Sequence, residues 1–399
     1  MVSTILPERI LAPVAADLRD LPIPEEAAAA STRLSARIAA EIERDGFMPF
    51  SRFMELALYA PGMGYYAAGA VKLGPHGDFT TAPELSSLFG RALAAQAKQV
   101  LESGCARILE LGAGTGRLAY DLIAELGDQG IAIERYSILE VSADLRERQR
   151  GTLERLAPGD FARIEWLDAL PSRISGLIVG NEVLDALPVH LVRVEAGRTL
   201  ELGVGLDAER FVWRTRTASG ALAEIAARLN LPEGYTSEVH PAACALVRSL
   251  ADRLESGVLL FVDYGFPQRE YYHPDRRQGT IMCHYRHHAH GDPLVLVGLQ
   301  DITAHVDFTA IAAAAWASGL DLLGYTSQAQ FLINCGILDL LQRIDPRDTA
   351  AYAPAAARVQ QLLSPAEMGE LHKTVAFGRG MSRPLIGFRS GNRSRALAP

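Results

Sequence analysis

The sequence predicts an α/β fold built around a Rossmann-like sheet of mainly parallel strands, with an N-terminal helical segment and an insertion between strands four and five. From residue 107 onward, short apolar runs alternate with segments of helical periodicity, which is typical of βα units. A glycine-rich loop, 112–116, follows the first of these runs and precedes a helix. The interval 189–255 then interrupts the alternation with a pattern of its own.

The chain before the sheet divides into an arm and a helical segment. Residues 1–30 are rich in Ala, Pro and acidic residues and show little periodicity, which predicts a loosely ordered arm. The helical segment is predicted over residues 31–104. Its apolar spacing indicates two helices broken at Gly46 and Pro49, and the capping-box pattern of Thr81–Glu84 predicts the start of a further helix.

The Rossmann-like core is predicted to occupy residues 105–188 and 256–399, the latter with C-terminal additions. The insertion 189–255 is predicted to be a subdomain that serves a substrate or partner, with three short antiparallel strands followed by a helix. The five core strands are predicted as apolar runs bounded by turn residues: Arg107–Leu111, Arg135–Glu140, Ala162–Trp166, Gly176–Gly180 and Gly257–Asp263.

Composition and charge narrow the class of partner. The formal net charge is −8, which disfavours general affinity for nucleic acid or for anionic membrane surfaces. The 4 cysteines are widely spaced and form no Cys-x-x-Cys pair, which predicts reduced thiols. The sequence shows neither a leader pattern nor an apolar run long enough to span a bilayer, so we expect a cytoplasmic protein without a membrane partner.

A histidine-rich segment, Cys283–His290, raises the question of a metal site. No second cluster with the spacing of metal ligands accompanies it, so we expect an exposed His-rich loop and no bound metal. The role of the histidines in 284–290 stays open.

The glycine loop is the first candidate ligand site. A strand, a loop of small residues and a helix let the backbone approach a ligand closely while helix N–H groups face it. The dinucleotide fingerprint needs glycine where this chain has Arg117, which disfavours NAD or FAD. A plain strand-to-helix turn is the alternative interpretation. The predicted ligand contacts are Glu110, placed to receive a positively charged group, and Gly112, Ala113, Gly114 and Gly116.

Two acids at the ends of the next strands are further candidates. Glu140 ends the second strand, where a carboxylate can accept hydrogen bonds from both hydroxyls of a ribose. Asp168 follows the third strand, where an adenine amino group could be bound. Each acid has a simpler interpretation, because Glu140 could be an exposed acid at a strand end and Asp168 a turn residue.

A set of motifs along the chain is together more specific than the glycine loop alone: Gly64–Tyr66, Gly77–Glu84, Phe89–Gly90, Glu110–Gly116, Gly180–Pro188, Val262–Gly265 and Asp301–Phe308. In these motifs the chain resembles the MidA-like methyltransferases, over residues 31–380. That family includes a mitochondrial complex I assembly factor that acts as a protein arginine methyltransferase. The resemblance implies a class I methyltransferase fold, S-adenosylmethionine as donor with S-adenosylhomocysteine as product and, by extension, a protein arginine as acceptor.

The resemblance also implies a role for the loop that precedes Thr81. The loop is expected to close over the cofactor, where Phe79 would stack on it or shield it. Asp78 and Thr81 would then bind polar groups of the cofactor. A helix cap explains Thr81 equally well.

The acceptor chemistry draws attention to the segment after the fourth strand. Methyl transfer from a sulfonium is a direct displacement, so the enzyme mainly aligns the nucleophile, the methyl group and the sulfur. A guanidinium stays protonated because its pKa is about 12.5 or more, and carboxylates can hold it bidentately while one nitrogen lone pair faces the methyl group. We predict Glu182 as the main guanidinium ligand, Asp185 as its helper, and Asn181 as a hydrogen-bonding residue for cofactor or substrate.

The local structure of this segment decides between two interpretations. If a helix begins here, Glu182 and Asp185 lie three residues apart on one face and can act together. A helix start would also explain the same residues without catalysis, with Asn181 as the cap and two acids favoured by the helix dipole.

A second polar segment is the candidate lining of an acceptor channel. Asp301, Thr303 and His305 occupy alternating positions and would share one face if the segment is extended. The alternative is a cap that leads into a helix near Thr309.

Three functions stay open at this point. The first is methylation of an arginine side chain in a protein partner. The second is methyl transfer to a small molecule or to another side chain, and the third is a cofactor-binding assembly factor with little turnover. A nicotinamide-dependent oxidoreductase is disfavoured by Arg117 and by the lack of an evident hydride-transfer pair.

Overall fold

The computed structural model describes residues 22–67, 80–104 and 106–398, which divide into two units. The first unit combines residues 22–67 with residues 185–243 and 268–307. The second unit combines residues 80–184 and 244–267 with the chain from residue 308 onward. The first unit therefore draws on more of the chain than the predicted insertion 189–255, since it also contains N-terminal residues and the segment 268–307.

The described helices, apart from three short 3₁₀ turns, are α1 (Glu25–Asp45), α2 (Phe50–Tyr59), α3 (Ala82–Leu85), α4 (Ser87–Leu101), α5 (Arg117–Asp128), α6 (Ala143–Leu156), α7 (Gly220–Leu229), α8 (Pro241–Ala251), α9 (Gln268–Tyr271), α10 (Phe308–Ala317), α11 (Gln328–Asn334), α12 (Ile337–Gln342), α13 (Thr349–Leu363) and α14 (Met368–Leu371). Among the described residues, no helix combines the length and apolar character that crossing a lipid bilayer requires.

The described strands are β1 (Met48–Pro49), β2 (Arg107–Leu111), β3 (Arg135–Leu139), β4 (Ile164–Leu167), β5 (Ile174–Asn181), β6 (His190–Glu195), β7 (Arg198–Asp207), β8 (Arg210–Thr217), β9 (Thr236–Val239), β10 (Leu254–Phe266), β11 (Met282–Tyr285), β12 (His288–His290), β13 (Asp301–Thr303), β14 (Val306–Asp307), β15 (Asp321–Ser327) and β16 (His372–Arg379).

The second unit contains the predicted Rossmann-like sheet. Its strands run in the order β15-β16-β10-β5-β2-β3-β4. Strands β10, β5, β2, β3 and β4 pair in parallel with one another. At one end of the sheet, β16 pairs antiparallel with β10, and β15 pairs antiparallel with β16. The central strands are apolar because both faces are covered; in β10, every residue from Val258 to Val262 is buried. The predicted α/β fold class is confirmed, and β15 and β16 are elements that the sequence patterns did not predict.

The N-terminal helices and the inserted strands share one core within the first unit. Strands β1, β6, β7, β8 and β9 form an antiparallel sheet, and the predicted insertion between strands four and five is confirmed as β6 to β9. Helix α1 buries a stripe of residues at helical spacing, Leu34, Ile38 and Ile42. The aromatic ring of Phe50 on α2 lies 5.4 Å from that of Trp213 on β8. The predicted break between α1 and α2 is also confirmed.

Two N-terminal predictions are corrected by the structure. Helix α1 begins at Glu25, so residues 25–30 of the predicted arm are helical; burial of Ala30 against the core extends the helix toward its N-terminus. The predicted capping box at Thr81 does not form. Thr81 makes no side-chain cap bond, and the carboxylate of Glu84 accepts a hydrogen bond from the hydroxyl of Thr115, which turns it toward the glycine loop.

The histidine-rich segment is a hairpin rather than the predicted loop. Strands β11 and β12 pair in antiparallel register, and β13 pairs with the other edge of β11. Arg286 and His287 connect β11 to β12 with positive φ angles of 48° and 62°, the conformation that a two-residue hairpin turn demands. Cys283 and His290 are buried, so only part of the segment is exposed.

Candidate functional site

The glycine loop leaves the carboxyl end of β2 and enters helix α5. Gly112, Gly114 and Gly116 have φ angles of 62°, 54° and 85°, a conformation that disfavours residues with a side chain. A Cβ atom on Gly116 would lie 3.3 Å from the Cα of Gln149 on α6. The N–H of Gly112 donates to the carbonyl of Leu139 over 3.0 Å. The loop is therefore fixed against the neighbouring βα unit.

Glu110 is a buried carboxylate at the start of this loop. Its side chain accepts a hydrogen bond of 2.7 Å from the hydroxyl of Tyr136 on β3. Burial raises the pKa of Glu110 to about 7; the Tyr136 hydrogen bond opposes the shift and the charge of Glu140 adds to it. A positively charged ligand group beside Glu110 would offset the cost of its buried charge.

Glu140 follows β3 and is buried, with the pKa of its carboxyl raised by burial. One oxygen accepts from the backbone N–H of Ser142 at 2.9 Å, and the other accepts from Nε2 of Gln149 at 3.1 Å. Each carboxylate oxygen has two lone-pair positions, so both retain capacity for a ligand hydroxyl. The alternative of an exposed strand-end acid is wrong because Glu140 is enclosed by α6.

Gln149 is a residue of this site that the sequence patterns did not single out. Its amide donates to the carbonyl of Gly114 at 3.0 Å as well as to Glu140, and its oxygen accepts from the indole N–H of Trp166 at 2.9 Å. A single side chain thus links the glycine loop, Glu140 and β4. A glutamine within a helix carries no sequence signal that would reveal such contacts.

Asp168 and Val141 lie at the outer side of the same strand ends. The carboxylate of Asp168 is exposed and pairs with Arg146 at 2.6 Å, while Arg146 also donates to the carbonyls of Glu140 and Leu167. Val141 is 77% exposed although it directly follows a buried residue. An exposed apolar side chain at this position offers a surface on which a flat ring can pack. The local sequence around Val141 did not predict its exposure.

The segment after β5 forms a turn and not a helix. Strand β5 ends at Asn181, and Glu182 adopts a φ of 52°, which is unusual for a residue with a side chain. Its N–H donates to the carbonyl of Val262 at 2.9 Å. The expectation that helical spacing brings Glu182 and Asp185 onto one face is therefore wrong, and so is the helix-cap interpretation of Asn181.

Asp263 fixes this turn from the neighbouring strand β10. One carboxylate oxygen accepts hydrogen bonds from the backbone N–H groups of Val183 at 3.0 Å and Leu184 at 2.7 Å, and the other accepts from Tyr264 N–H. Burial raises the pKa of Asp263 to about 7, and the nearby charge of Glu182 adds to the shift. Asp263 lies in the motif Val262–Gly265, but its pattern gave no indication that it holds the turn.

The turn places Glu182 beside the glycine loop. A Cβ atom on Gly112 would lie 3.5 Å from a methyl group of Val183, so the two segments are in contact. The Glu182 side chain is 7% exposed; its Oε1 lies 3.3 Å from Nδ2 of Asn181 and 3.6 Å from Nε2 of His372. Among the described residues, Oδ1 of Asn181 is buried without a hydrogen-bond partner. A polar ligand could satisfy both Asn181 and Glu182.

Asp185 and Asp301 lie in the first unit, close to Tyr66. The hydroxyl of Tyr66 donates to Asp301 over 2.9 Å, and its pKa is raised well above the usual value by burial, with further contributions from Asp301 and Asp185. Asp301 also accepts from the N–H of Ile302 at 3.0 Å. Both acids are buried, and the structure brings them together around one tyrosine.

The alternating segment after Asp301 is extended over part of its length. Ile302, Ala304 and Val306 are buried in the core, whereas Thr303 and His305 are partly exposed. His305 N–H donates to the hydroxyl of Thr280 at 3.0 Å, and its carbonyl accepts from Nε2 of His240 at 2.8 Å. Helix α10 begins at Phe308, directly after this segment. The segment is therefore extended, as one interpretation predicted, and it also leads into a helix, as the alternative predicted.

Two predicted cofactor residues, Asp78 and Phe79, lie outside the described residues. Thr81 is described and immediately precedes α3. Within the described ranges, no group of three or more His, Cys, Asp or Glu side chains is arranged to hold a metal ion.

The chain is similar to known proteins over most of its length. A family model described as "Putative S-adenosyl-L-methionine-dependent methyltransferase" matches residues 88–326. The protein arginine methyltransferase NDUFAF7, mitochondrial, of Danio rerio is 28% identical over 373 residues, covering 84% of each chain; the Mus musculus protein of the same name is 28% identical over 369 residues, covering 83% of this chain and 80% of the mouse protein.

Solved structures agree with this similarity. A Burkholderia thailandensis protein crystallised with bound S-adenosyl-homocysteine has 52% sequence identity and a TM-score of 0.91, covering 94% of this chain and 99% of that one. A native structure from the same organism has 53% identity and a TM-score of 0.88, with the same coverage.

Proposed function

The chain belongs to this family of S-adenosyl-L-methionine-dependent methyltransferases, and on that premise we propose that it methylates an arginine side chain of a protein partner. S-adenosylmethionine is the methyl donor. Two observations support arginine as the acceptor. The buried carboxylate of Glu182 lies beside the glycine loop, and the similar proteins of Danio rerio and Mus musculus are named protein arginine methyltransferases.

The residues around the glycine loop fit S-adenosylmethionine. The cofactor supplies a methyl group on a positively charged sulfur and also carries an ammonium group. In the proposal, Glu110 accepts the ammonium, because a cation offsets its buried charge, and Gly112, Ala113, Gly114 and Gly116 contact the cofactor through the backbone. Glu140 accepts hydrogen bonds from the ribose hydroxyls. Val141 packs against the adenine ring, and Asp168 accepts a hydrogen bond from the adenine amino group. Asn181 hydrogen-bonds the cofactor or the acceptor. Thr81, and Asp78 and Phe79 outside the described residues, stay predicted cofactor-binding residues.

The acceptor part of the proposal rests on one observation. Glu182 presents a nearly buried carboxylate from a turn that Asp263 and Val262 hold in place. A guanidinium bound bidentately to that carboxylate holds its positive charge mainly on the nitrogens that face the carboxylate. The lone pair of another guanidinium nitrogen can then face the methyl donor. Because the carboxylate is held before the substrate arrives, little ordering is left for the reaction itself. Asp185, Asp301, Thr303 and His305 stay predicted acceptor-binding residues.

The proposal is tested by methyl transfer from tritiated S-adenosylmethionine to proteins of the host lysate, with the modified residue identified by mass spectrometry. We expect labelled arginine. Glu182→Gln should bind S-adenosylhomocysteine within about twofold of the wild type and lose at least about 100-fold in turnover, since one oriented carboxylate carries a large share of the charge stabilisation. Glu102→Gln, a surface change in the same unit, should leave both unchanged.

The other outcomes each contradict a named part of the proposal. Label on a small molecule or on a residue other than arginine would overturn the guanidinium argument. Tight binding of S-adenosylhomocysteine without labelling in any fraction would favour an assembly factor with little turnover. If cofactor affinity and turnover fall together in Glu182→Gln, the residue supports the cofactor site and does not bind the acceptor.

A further inference from the structure

His372 is the buried imidazole that faces Glu182. It is the first residue of β16, lies opposite Tyr264 on β10 and is only 1% exposed. Its Nε2 lies 3.6 Å from Oε1 of Glu182, and its ring packs on that of Tyr264 with a centroid distance of 3.9 Å. Neither neighbour is close in sequence, so only the fold of the sheet brings the three side chains together.

The orientation of the imidazole is fixed by its other nitrogen. Nδ1 lies 3.1 Å from the carbonyl oxygen of Met368, which can only accept a hydrogen bond, so Nδ1 carries a proton. Nε2 is then the nitrogen that gains or loses a proton. It is buried and has no hydrogen-bond partner among the described residues, although Glu182 is its nearest acidic group. A histidine held in this way is arranged to exchange a proton with the carboxylate.

The reaction itself releases a proton. When a guanidinium nitrogen attacks, the new N–C bond forms as the S–C bond breaks, and the sulfur keeps the electron pair of that bond. The guanidinium and the sulfonium each begin with one positive charge. The products are a neutral thioether, a methylguanidinium with one positive charge and one proton. In a site closed from water, that proton needs an acceptor near the carboxylate that holds the guanidinium.

We propose that His372 is a positioning residue that acts through Glu182: it receives, through that carboxylate, the proton released on methyl transfer and then, as an imidazolium, holds the carboxylate in place. The inference rests on the proposed function, because it takes Glu182 as the guanidinium ligand. The proton passes from the methylated guanidinium to Glu182 and then to Nε2 of His372, which becomes an imidazolium beside the restored carboxylate. Product departure then lets the proton leave to solvent.

The groups around the pair define what a pH profile can report. Glu182 at the end of β5 and Tyr264 on β10 contact the imidazole, and Asp263 on β10 interacts with Glu182. Glu370 and Lys373 flank His372 on its own segment. Lys373 donates to the carbonyl of Glu370 and lies on the opposite face of β16. A base that takes up the released proton makes turnover depend on pH, and an amide in its place does not.

Two substitutions separate the orienting contact from the proton transfer. His372→Gln places an amide near the position of Nε2, where it can hold Glu182 but cannot take up a proton. His372→Asn keeps an N–H that can reach the carbonyl of Met368 and removes the contact with Glu182. We expect S-adenosylhomocysteine affinity and the melting temperature of His372→Gln to stay near wild-type values. Its kcat should fall about 100-fold with little change in KM for an arginine peptide.

The pH profile of kcat decides between this proposal and a packing role. The limb that descends toward acid pH in the wild type should be absent from His372→Gln. A limb that persists unchanged in His372→Gln would overturn the assignment, as would an unchanged kcat. Parallel losses of cofactor affinity, melting temperature and kcat in both variants would show that His372 only supports the fold.

A measurement without turnover keeps this inference separate from the proposed function. In the complex with S-adenosylhomocysteine, the Nε2 resonance of His372, assigned by its absence from His372→Gln, should move when Glu182 is changed to Gln. A resonance that does not move would overturn the pairing. If the resonance moves but the wild type methylates no arginine, the proposed acceptor fails and the proton route fails with it, while the Glu182–His372 contact stands.

Discussion

At the scale of single residues, the site is defined by carboxylates that the fold buries before any ligand binds. Glu110 is buried against β3, and Glu140 is buried against α6. Burial raises the pKa of each carboxyl group. The pKa of Glu110 rises to about 7 although the hydroxyl of Tyr136 donates a hydrogen bond to its carboxylate. A buried acid of this kind responds strongly to a cation.

The first prediction concerns the pH dependence of cofactor binding. If Glu110 accepts the cofactor ammonium as proposed, binding needs the ionised form of Glu110, and that form is lost as the pH falls through about 7. The affinity for S-adenosylhomocysteine should therefore be highest above pH 7 and decrease by up to about tenfold per pH unit below it. Titration calorimetry at pH 6, 7 and 8 measures the effect. Glu110→Gln should bind weakly with a flatter profile, and a wild-type affinity that is independent of pH would contradict the assignment.

The same shift has the opposite consequence for the stability of the ligand-free protein. The folded state holds the protonated form of Glu110, since its pKa is raised above the unfolded value near 4.5. The unfolded state therefore releases the proton at lower pH. The contribution is fully present below about 4.5 and is lost as the pH rises toward about 7. Binding and folding thus place contrary demands on one carboxyl group.

At the scale of elements, the glycine loop depends on a backbone conformation and on a close approach to α6. Gly116 has a φ of 85° and Gly130, outside the site, has a φ of 73°. A Cβ atom at Gly116 would meet the backbone of Gln149, whereas one at Gly130 has nothing within 4 Å. The two glycines therefore share a conformational penalty and differ in their surroundings.

The second prediction uses that difference. Gly116→Ala and Gly130→Ala should each lower the free energy of unfolding by about 1–2 kcal/mol, because alanine disfavours the left-handed conformation. Only Gly116→Ala should also weaken S-adenosylhomocysteine binding, since it displaces the helix that carries Gln149. Urea unfolding and calorimetry measure the two effects. Equal affinities in the two variants would show that the approach of Gln149 is not needed for binding.

The third prediction concerns the turn after β5. Asp263→Ala removes the acceptor for two backbone N–H groups and should cost about 1–3 kcal/mol of folding free energy for each group left buried without a partner. Turnover should fall with it because the orientation of Glu182 is lost. Asp263→Asn keeps one carbonyl acceptor and should lose less of both, measured by urea unfolding and by methyl transfer. An Ala variant that is as stable and active as the Asn variant would contradict the role of Asp263.

The elements that could be predicted from sequence are those whose signal is local. Strands β2, β3, β5 and β10 each contain a short apolar stretch, and the carboxyl ends of parallel strands locate Glu110, Glu140 and Glu182 in one region. Strand β16 begins with polar residues and gains its place by pairing with β10 and β15. Gln149, Asp263 and His372 act through contacts with distant segments, so no local pattern could reveal them. The turn at Glu182 could not be predicted from sequence, because its positive φ is fixed by hydrogen bonds to Val262 and Asp263 on β10 and not by the type of residue at position 182.

At the scale of the whole molecule, the first unit depends on packing between segments that are far apart in sequence. The rings of Phe50 on α2 and Trp213 on β8 are in contact, and β1 pairs with β7 through Met48 and Val204. The N-terminal helices therefore have no complete core without the inserted strands. Removing the interval 189–255 would expose the apolar face of α1 and α2.

The fourth prediction tests this shared core. Phe50→Ala should lower the free energy of unfolding by about 3–5 kcal/mol, the usual cost of deleting a buried aromatic ring. Leu338→Ala, at a side chain that is 45% exposed, should change it by less than about 0.5 kcal/mol. Urea unfolding followed by circular dichroism gives both values, and hydrogen exchange locates the loss in α1 and α2. Equal midpoints for the two variants would mean that the helices do not rely on this contact.

The pairing of Met48 with Val204 also constrains how the protein is made. A ribosome that adds about 5–20 residues per second needs roughly 10–30 s between the synthesis of the N-terminal helices and that of β7. During this time the nascent chain displays Phe50 and Phe53 without their native partners. Production of this protein should therefore depend on chaperones that bind nascent chains, and slower translation should lengthen the vulnerable interval rather than help folding.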